Sequence, residues 1–321
     1  MKTLTFAIAV VGLIASAGSA AAQLYPSRPI MIICPFPTGG PLLPLLADRM
    51  QMALGQPVVV EYVSGAAGTI GTRRAVRSEP DGYTLSFGLW DSHVLSPAVR
   101  SLDYDPLRDL EPVALLFSNP QIIVSTNAVL AKNLTELIAW LKANPDKASQ
   151  GTAGPGSAAH VSGVRFQNAT GTRFQFVPYR GAAPAMQDLL AGHIDLMIDQ
   201  SNNALPAIEA RAIRAYAVTA KTRLAAAPDI PTVDEAGLPG FYVSVWRGLW
   251  APKGTPKEII AKLNAAVVQA LDDPTLRQRL LDLGQDIPTR DQQTPEAFGA
   301  FHKAEVEKWW PIIKAANIRA E

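Results

Sequence analysis

Ile30-Met31-Ile32-Ile33-Cys34-Pro35-Phe36, followed by Pro37-Thr38-Gly39-Gly40-Pro41 and then Leu42-Leu43-Pro44-Leu45-Leu46, is the stretch on which the fold turns. Its three parts are a continuous apolar run of strand length, a glycine turn flanked by prolines, and an apolar-periodic stretch reaching residue 54. They read as strand, turn and helix. The alternation repeats outward from there. Residues 58–62 and 83–88 read as strands with a helix over 69–77 between them, and Pro80-Asp81-Gly82 supplies the turn. Short β-rich runs alternating with longer helical ones are the pattern of βαβ units around mainly parallel sheets, which makes this an α/β chain.

The N-terminus points to export. Lys2 supplies a positive start, residues 6–14 an apolar stretch, and Ala20-Ala21-Ala22 a small-residue cleavage site before Gln23. This is the layout of a secretory signal peptide over residues 1–22. The run is too short for a bilayer, which needs about 20 apolar residues. No Cys follows the cleavage site, so no lipid anchor is expected there. The remaining 23–321 has the length of about two ordinary domains. With 29 Lys and Arg against 28 Asp and Glu, the net charge of +1 offers no basic field for nucleic acid. Cys34 is the only cysteine, so stability has to come from packing and not from an internal disulfide.

Further strands are expected at 122–125, 150–152, 175–177, 194–199 and 214–219. A helix is announced by Asn133 with Glu136 at capping-box spacing, another begins at Ser157 and another near Pro184. The last third opens on an extended aromatic run, 241–250. Three helices follow. The first is signalled by Thr255-Pro256-Lys257-Glu258, read as N-cap, N1 proline and N3 glutamate, the second by Asp273-Pro274 and the third by Thr294-Pro295. The third carries Phe298, Phe301, Trp309 and Ile313 at helical spacing, which reads as core.

Two turns place glycines between a strand and the first turn of a helix: Thr38-Gly39-Gly40 and Gly154-Pro155-Gly156-Ser157. Free backbone N–H groups and the positive end of a helix dipole at such points favour an anion. They also lie where ligands bind in open α/β sheets. Gly is equally the default turn residue, and that simpler reading stands beside the first. No G-x-S-x-G elbow and no P-loop lysine is present, and Gly65-Ala66-Ala67-Gly68-Thr69-Ile70-Gly71 lacks the dinucleotide spacing. His93, His160, His193 and His302 show no metal-ligand spacing, and no metal or organic cofactor is implied. His93 differs from the other three in following a strand end, in Trp90-Asp91-Ser92-His93. Asp199 ends a strand, where it reads as a turn carboxylate or a ligand contact. Arg247 interrupts an apolar run and needs a partner, either a ligand carboxylate or a protein carboxylate such as Asp91 or Asp199. A secreted hydrolase is the rival enzyme class, and it lacks a nucleophile, base and orienter set.

These residues sit among motifs that resemble the Bug-type periplasmic receptors of tripartite tricarboxylate transporters. The motifs run in order through Tyr25-Pro26-Ser27-Arg28-Pro29-Ile30, Pro35 to Pro41, Leu54-Gly55-Gln56-Pro57-Val58-Val59-Val60-Glu61 and Pro80-Asp81-Gly82-Tyr83-Thr84-Leu85. They continue through Val177-Pro178-Tyr179-Arg180-Gly181, the run 231–240 and Ala251-Pro252-Lys253-Gly254-Thr255-Pro256.

The resemblance implies two Rossmann-like lobes joined by crossing strands, a type II periplasmic binding protein that closes like a flytrap. Residues 23–121 and 241–321 would form lobe 1 and residues 122–240 lobe 2. It implies that the loops holding Phe36, Thr38, Gly39 and Gly40, and Gly154, Gly156, Ser157 and Ala158, grip a ligand carboxylate, with Ser92, His93 and Asp199 facing the cleft. The partners implied are a small organic acid and membrane permease subunits, with the receptor a periplasmic monomer. A sensory co-receptor reporting to a membrane kinase is the alternative for the same ligand class. The chain departs from the usual pattern at Leu42-Leu43, at Leu89-Trp90-Asp91 and at Arg247. Trp90 and Arg247 in the cleft would favour an aromatic or doubly charged acid.

Overall fold

A computed structural model describes residues 25–36 and 40–319. The expected signal peptide, residues 1–22, and two expected ligand contacts, Thr38 and Gly39, lie outside the described residues. The strands in chain order are β1 (Ile30–Cys34), β2 (Val58–Tyr62), β3 (Thr84–Leu89), β4 (Leu110–Thr126), β5 (Ser149–Thr152), β6 (Gln175–Pro178), β7 (Leu196–Gln200), β8 (Ile213–Val218) and β9 (Ser244–Pro252). The helices are α1 (Leu42–Leu54), α2 (Thr69–Val76), α3 (Ser96–Val99), α4 (Pro106–Asp109), α5 (Leu134–Ala143), α6 (Ala158–Thr170), α7 (Ala182–Ala191), α8 (Ser201–Glu209), α9 (Lys257–Asp272), α10 (Pro274–Asp282) and α11 (Pro295–Ala315).

Among the described residues the strands run β2-β1-β3-β9-β4-β7-β5-β6, with β8 also on β4. Parallel pairs β1–β2, β1–β3 and β5–β6 carry the helical crossovers, whereas β9 enters antiparallel between β3 and β4. The 17-residue β4 belongs to both halves. It pairs with β9 as far as Pro120 opposite Ser244, then with β7 from Gln121 opposite Gln200 and with β8 from Ile122 opposite Val218. The second crossing is held at the same level. Val243 N–H donates to the Thr219 carbonyl, Thr219 N–H donates to the Gln121 carbonyl, and the Thr219 hydroxyl oxygen accepts from Gln121 N–H.

The sequence expectation of a strand over 122–125 therefore covers only the last part of β4. Pro112 and Pro120 hide the remainder, because proline cannot donate to a ladder. The strand absorbs Pro112 at a register shift between Pro112 and Ala114. The other local starts behave as side-chain chemistry dictates: Asn133 accepts from Glu136 N–H, Asp273 from Leu276 N–H and Thr294 from Ala297 N–H. At α9 the expected Thr255 cap is displaced by one residue. Pro256 is the N-cap, and the Thr255 hydroxyl donates to the Pro252 carbonyl instead.

One apolar core lies under β1, β3 and the first half of β4 against α1, α9 and α10, and a second packs β4, β7 and β8 against α7 and α8. A third runs through both halves and includes Trp90, Trp246, Trp250, Phe298 and Trp309. The C-terminal aromatics are thus core, as their spacing indicates. The Glu305 carboxylate accepts from both the Trp246 and Trp309 indoles, at 3.1 and 3.0 Å, so these buried N–H groups are satisfied.

Gly88 and Gly248 face each other in the β3–β9 pair. A Cβ on Gly88 would lie 2.1 Å from the His93 ring, and one on Gly248 would lie 2.1 Å from the Phe298 ring. Both rings occupy space that only glycine leaves. Gly248→Ala is expected to lower unfolding free energy by about 1–3 kcal/mol through overpacking. Urea denaturation measures it, and a midpoint unchanged from wild type would contradict this packing.

Candidate functional site: two opposed carboxyl edges

The C-terminal ends of parallel strands collect the chemistry in each half. In the first half, β1 leads into the loop before α1, and β3 leads into Trp90, Asp91, Ser92 and His93, with Arg247 of β9 paired opposite Leu89. In the second half, β5 leads into Gly154 to Ser157, and β7 ends on Asp199 and Gln200. Two contacts show that these edges face one another. Ala158 N–H, the first amide of α6, donates to Asp91 Oδ1 at 3.2 Å, and Arg247 Nη2 donates to Gln200 Oε1 at 3.1 Å.

The two glycine turns differ. Gly40 is exposed with φ 64°, and α1 begins at Leu42 after the N-cap Pro41, with no side-chain cap among the described residues and no acidic residue in its first turn. Phe36 beside it packs on the core of the first half. In the second turn Gly154 and Gly156 take φ 102° and 75°, where an L side chain is strained. Here the amides already have partners within the protein. Gly156 N–H donates to His160 Nδ1, Ser157 N–H to the Gly154 carbonyl, and His160 N–H to Ser157 Oγ. With Ala158 donating to Asp91, the expectation of free N–H groups at this turn is corrected. A carboxylate from the opposite edge reaches the helix start, which nothing in the local sequence signals.

Ser92 and His93 are buried. The Ser92 hydroxyl accepts from Leu89 N–H at 3.1 Å and sits 2.9 Å from His93 Nδ1. The His93 ring stacks on Trp250 with centroids 4.0 Å apart, and its carbonyl accepts from His302 Nε2. His93 Nε2 finds no partner among the described residues. Burial, then the neighbouring His302, holds the His93 pKa well below its ordinary value, and burial lowers that of His302 to about 4. Both imidazoles are therefore neutral at neutral pH. Trp90 has no exposed surface and packs edge-to-face on Trp309 at 4.8 Å. It serves as core, and the aromatic-ligand preference drawn from it loses its footing.

Arg247 takes neither carboxylate offered by the sequence. Its Nη1 donates to the Val245 carbonyl at 3.2 Å and to Gln285 Oε1 at 3.4 Å, and its Nη2 donates to Gln200. Among the described residues it forms no ion pair, and burial lowers its pKa to about 10 while Asp91 raises it. Gln200 and Gln285 are the site residues that sequence reading misses. Neutral amides 47 and 38 positions away leave no local trace. Asp199 is 3% exposed. Its Oδ1 accepts from Gln200 N–H at 2.8 Å, and its Oδ2 has no partner among the described residues. Burial pushes its pKa up to about 6, against hydrogen bonds from Gln200 and Asn203 that lower it.

Two α/β halves joined by a shared strand, with polar carboxyl edges facing across a cleft, define a two-lobed solute-binding receptor. The chain belongs to the family described as the tripartite tricarboxylate transporter family receptor, whose model matches residues 43–318. It is 37% identical to MatC from Rhodopseudomonas palustris, solved with bound malate, with a TM-score of 0.78 over 90% of this chain and 100% of that one. The periplasmic binding protein BugD matches at 38% identity and a TM-score of 0.78, covering 92% of this chain and 100% of BugD. A second R. palustris protein, solved with adipate, is 30% identical with a TM-score of 0.79, over 92% of this chain and 99% of that one. The family consists of periplasmic solute-binding receptors and not enzymes. Among the described residues no helix is long and apolar enough to cross a membrane, and no cluster of His, Cys, Asp and Glu could hold a metal ion.

The Asp199 pKa has a consequence for stability. A carboxyl whose folded pKa is raised from 3.8 to about 6 favours folding while protonated, and that contribution is lost as pH rises through about 6. Asp199→Asn keeps the oxygen facing Gln200 and removes the charge. The variant is expected to be more stable than wild type at pH 7, by about 1–3 kcal/mol, with the difference shrinking toward pH 4. Denaturation across this pH range checks it; equal pH profiles would contradict it.

Proposed function

We propose that this chain is exported through cleavage of residues 1–22, captures a small organic acid between its lobes, and delivers it to the permease of a tripartite tricarboxylate-type transporter. Residues 23–121 with 241–321, and residues 122–240, are the two moving bodies, a division supported by the change of partner in β4 between Pro120 and Gln121. The ligand is a mono- or dicarboxylate. It is held by the loop with Phe36, Thr38, Gly39 and Gly40, by Arg247, and by the polar edge around Ser92, His93, Asp199, Gly154, Gly156, Ser157 and Ala158. The observation that carries the reading is Arg247. A guanidinium at the cleft with only neutral acceptors is complementary to a carboxylate, which would accept two parallel N–H bonds from its fork. Malate bound to MatC and adipate bound to the second R. palustris protein support the same ligand class.

The mechanism is population shift. A ligand touching both edges only when they are close stabilises the closed form by its differential affinity. A thermal-shift screen of organic acids tests the reading, because a ligand at 100 times its Kd adds about 2.7 kcal/mol of stability. Arg247→Gln is expected to weaken the best acid by at least about tenfold, the scale of a charge-assisted hydrogen bond. No shift from any acid, or equal affinity of Arg247→Gln and wild type, would contradict it.

A further inference from the structure

The carboxyl edge of the second half holds the starts of two helices, and each is already partnered by side chains of this chain. At α6, 13 residues long, the first amide donates to Asp91 and the third to Ser157 Oγ. At α8, 9 residues long, the first amide, Ser201 N–H, donates to Asn119 Oδ1, and the amide of the N-cap Gln200 donates to Asp199. Asp199 Oδ2, buried and unpartnered among the described residues, adds acceptor character at the same edge. Across the cleft the balance is opposite. The start of α1 has no capping side chain, and Arg247 has no carboxylate partner among the described residues. Asp91 is partly exposed; burial raises its pKa, while the Ala158 amide and, more weakly, Arg247 favour its charged form, and it makes no ion pair with Arg247.

We infer that Asp91 is a specificity-determining residue: its carboxylate fills the anion position at the start of α6, leaving the cleft one place for a ligand carboxylate, so that the receptor prefers a monocarboxylate to a dicarboxylate. This rests on the carboxylate-receptor reading and narrows it. A single ligand carboxylate meets Arg247, whose acceptors are all neutral. A second one, projecting toward α6 or α8, meets helix starts already satisfied, with Asp91 and Asp199 as like charges. Like charges brought together in a partly desolvated site are disfavoured, because the site's low polarisability screens them weakly.

Ligand-stripped protein titrated calorimetrically with two matched pairs, butyrate against succinate and hexanoate against adipate, tests the inference. Wild type is expected to bind the monocarboxylate of each pair at least about tenfold more tightly, the scale of one lost favourable polar contact. In Asp91→Asn, which keeps the side chain's shape and loses its charge, the dicarboxylates are expected to gain about tenfold while the monocarboxylates change little. Asp91→Glu, which keeps the charge, is expected to retain the wild-type order, a rescue that a merely structural role would not produce. Thermal melts identify any variant that fails to fold, and Asp91→Ser then replaces Asp91→Asn. Tighter binding of dicarboxylates by wild type, or a ratio unchanged in Asp91→Asn, would overturn the inference and leave the receptor reading intact. Binding of none of the four acids by any variant would overturn both.

Discussion

A strand that belongs to two sheets ties them together more firmly than any loop, and β4 is such a strand. Its backbone hydrogen bonds go to β9 up to Pro120 and to β7 and β8 from Gln121 onward. Neither half can leave the other without breaking a ladder. The partner changes between Pro120 and Gln121. The second crossing meets β4 at the same level, through Gln121, Thr219 and Val243. The Asn119 side chain fixes the next element as well, its Oδ1 accepting from the Ser201 N–H and hydroxyl at the start of α8. The join between the two halves is thus set by backbone pairing and a few buried polar side chains.

The cleft that this hinge serves is ordered by charge. Two histidines close to it are kept neutral by burial and lend shape and hydrogen bonds, not charge. Glycines at 88 and 248 let one of those rings and Phe298 press against the sheet. The charged groups that remain are few: Arg247 with amide partners, Asp91 against α6, and Asp199 against the start of α8. Arg247 and Asp91 are each held by a partner on another element, and Asp199 by its neighbour Gln200. Arg247 and Asp91 bridge the two halves directly.

Local chemistry was readable along the chain, and long-range chemistry was not. Asn133, Asp273 and Thr294 each cap a helix within three residues, and such caps announce themselves in sequence. The α/β alternation and the order of motifs were sufficient for the architecture. The long strand β4 stayed hidden because Pro112 and Pro120 break its donor pattern, although a bulge absorbs the first of them. The turn at Gly154 was recognised as a helix start, but Asp91, 67 positions away, had already reached its first amide. Nothing local to Trp90 signals that Trp309 covers it. In each case the missing information is a contact between distant segments, which periodicity and capping rules do not encode.

The central claim is that one bend in a shared strand lets two lobes close on an anion. Small-angle X-ray scattering of protein stripped of bound acid, and again after saturation with the tightest-binding acid, measures it most directly. The account predicts a smaller radius of gyration in the saturated protein. An identical scattering profile with and without saturating acid would contradict it.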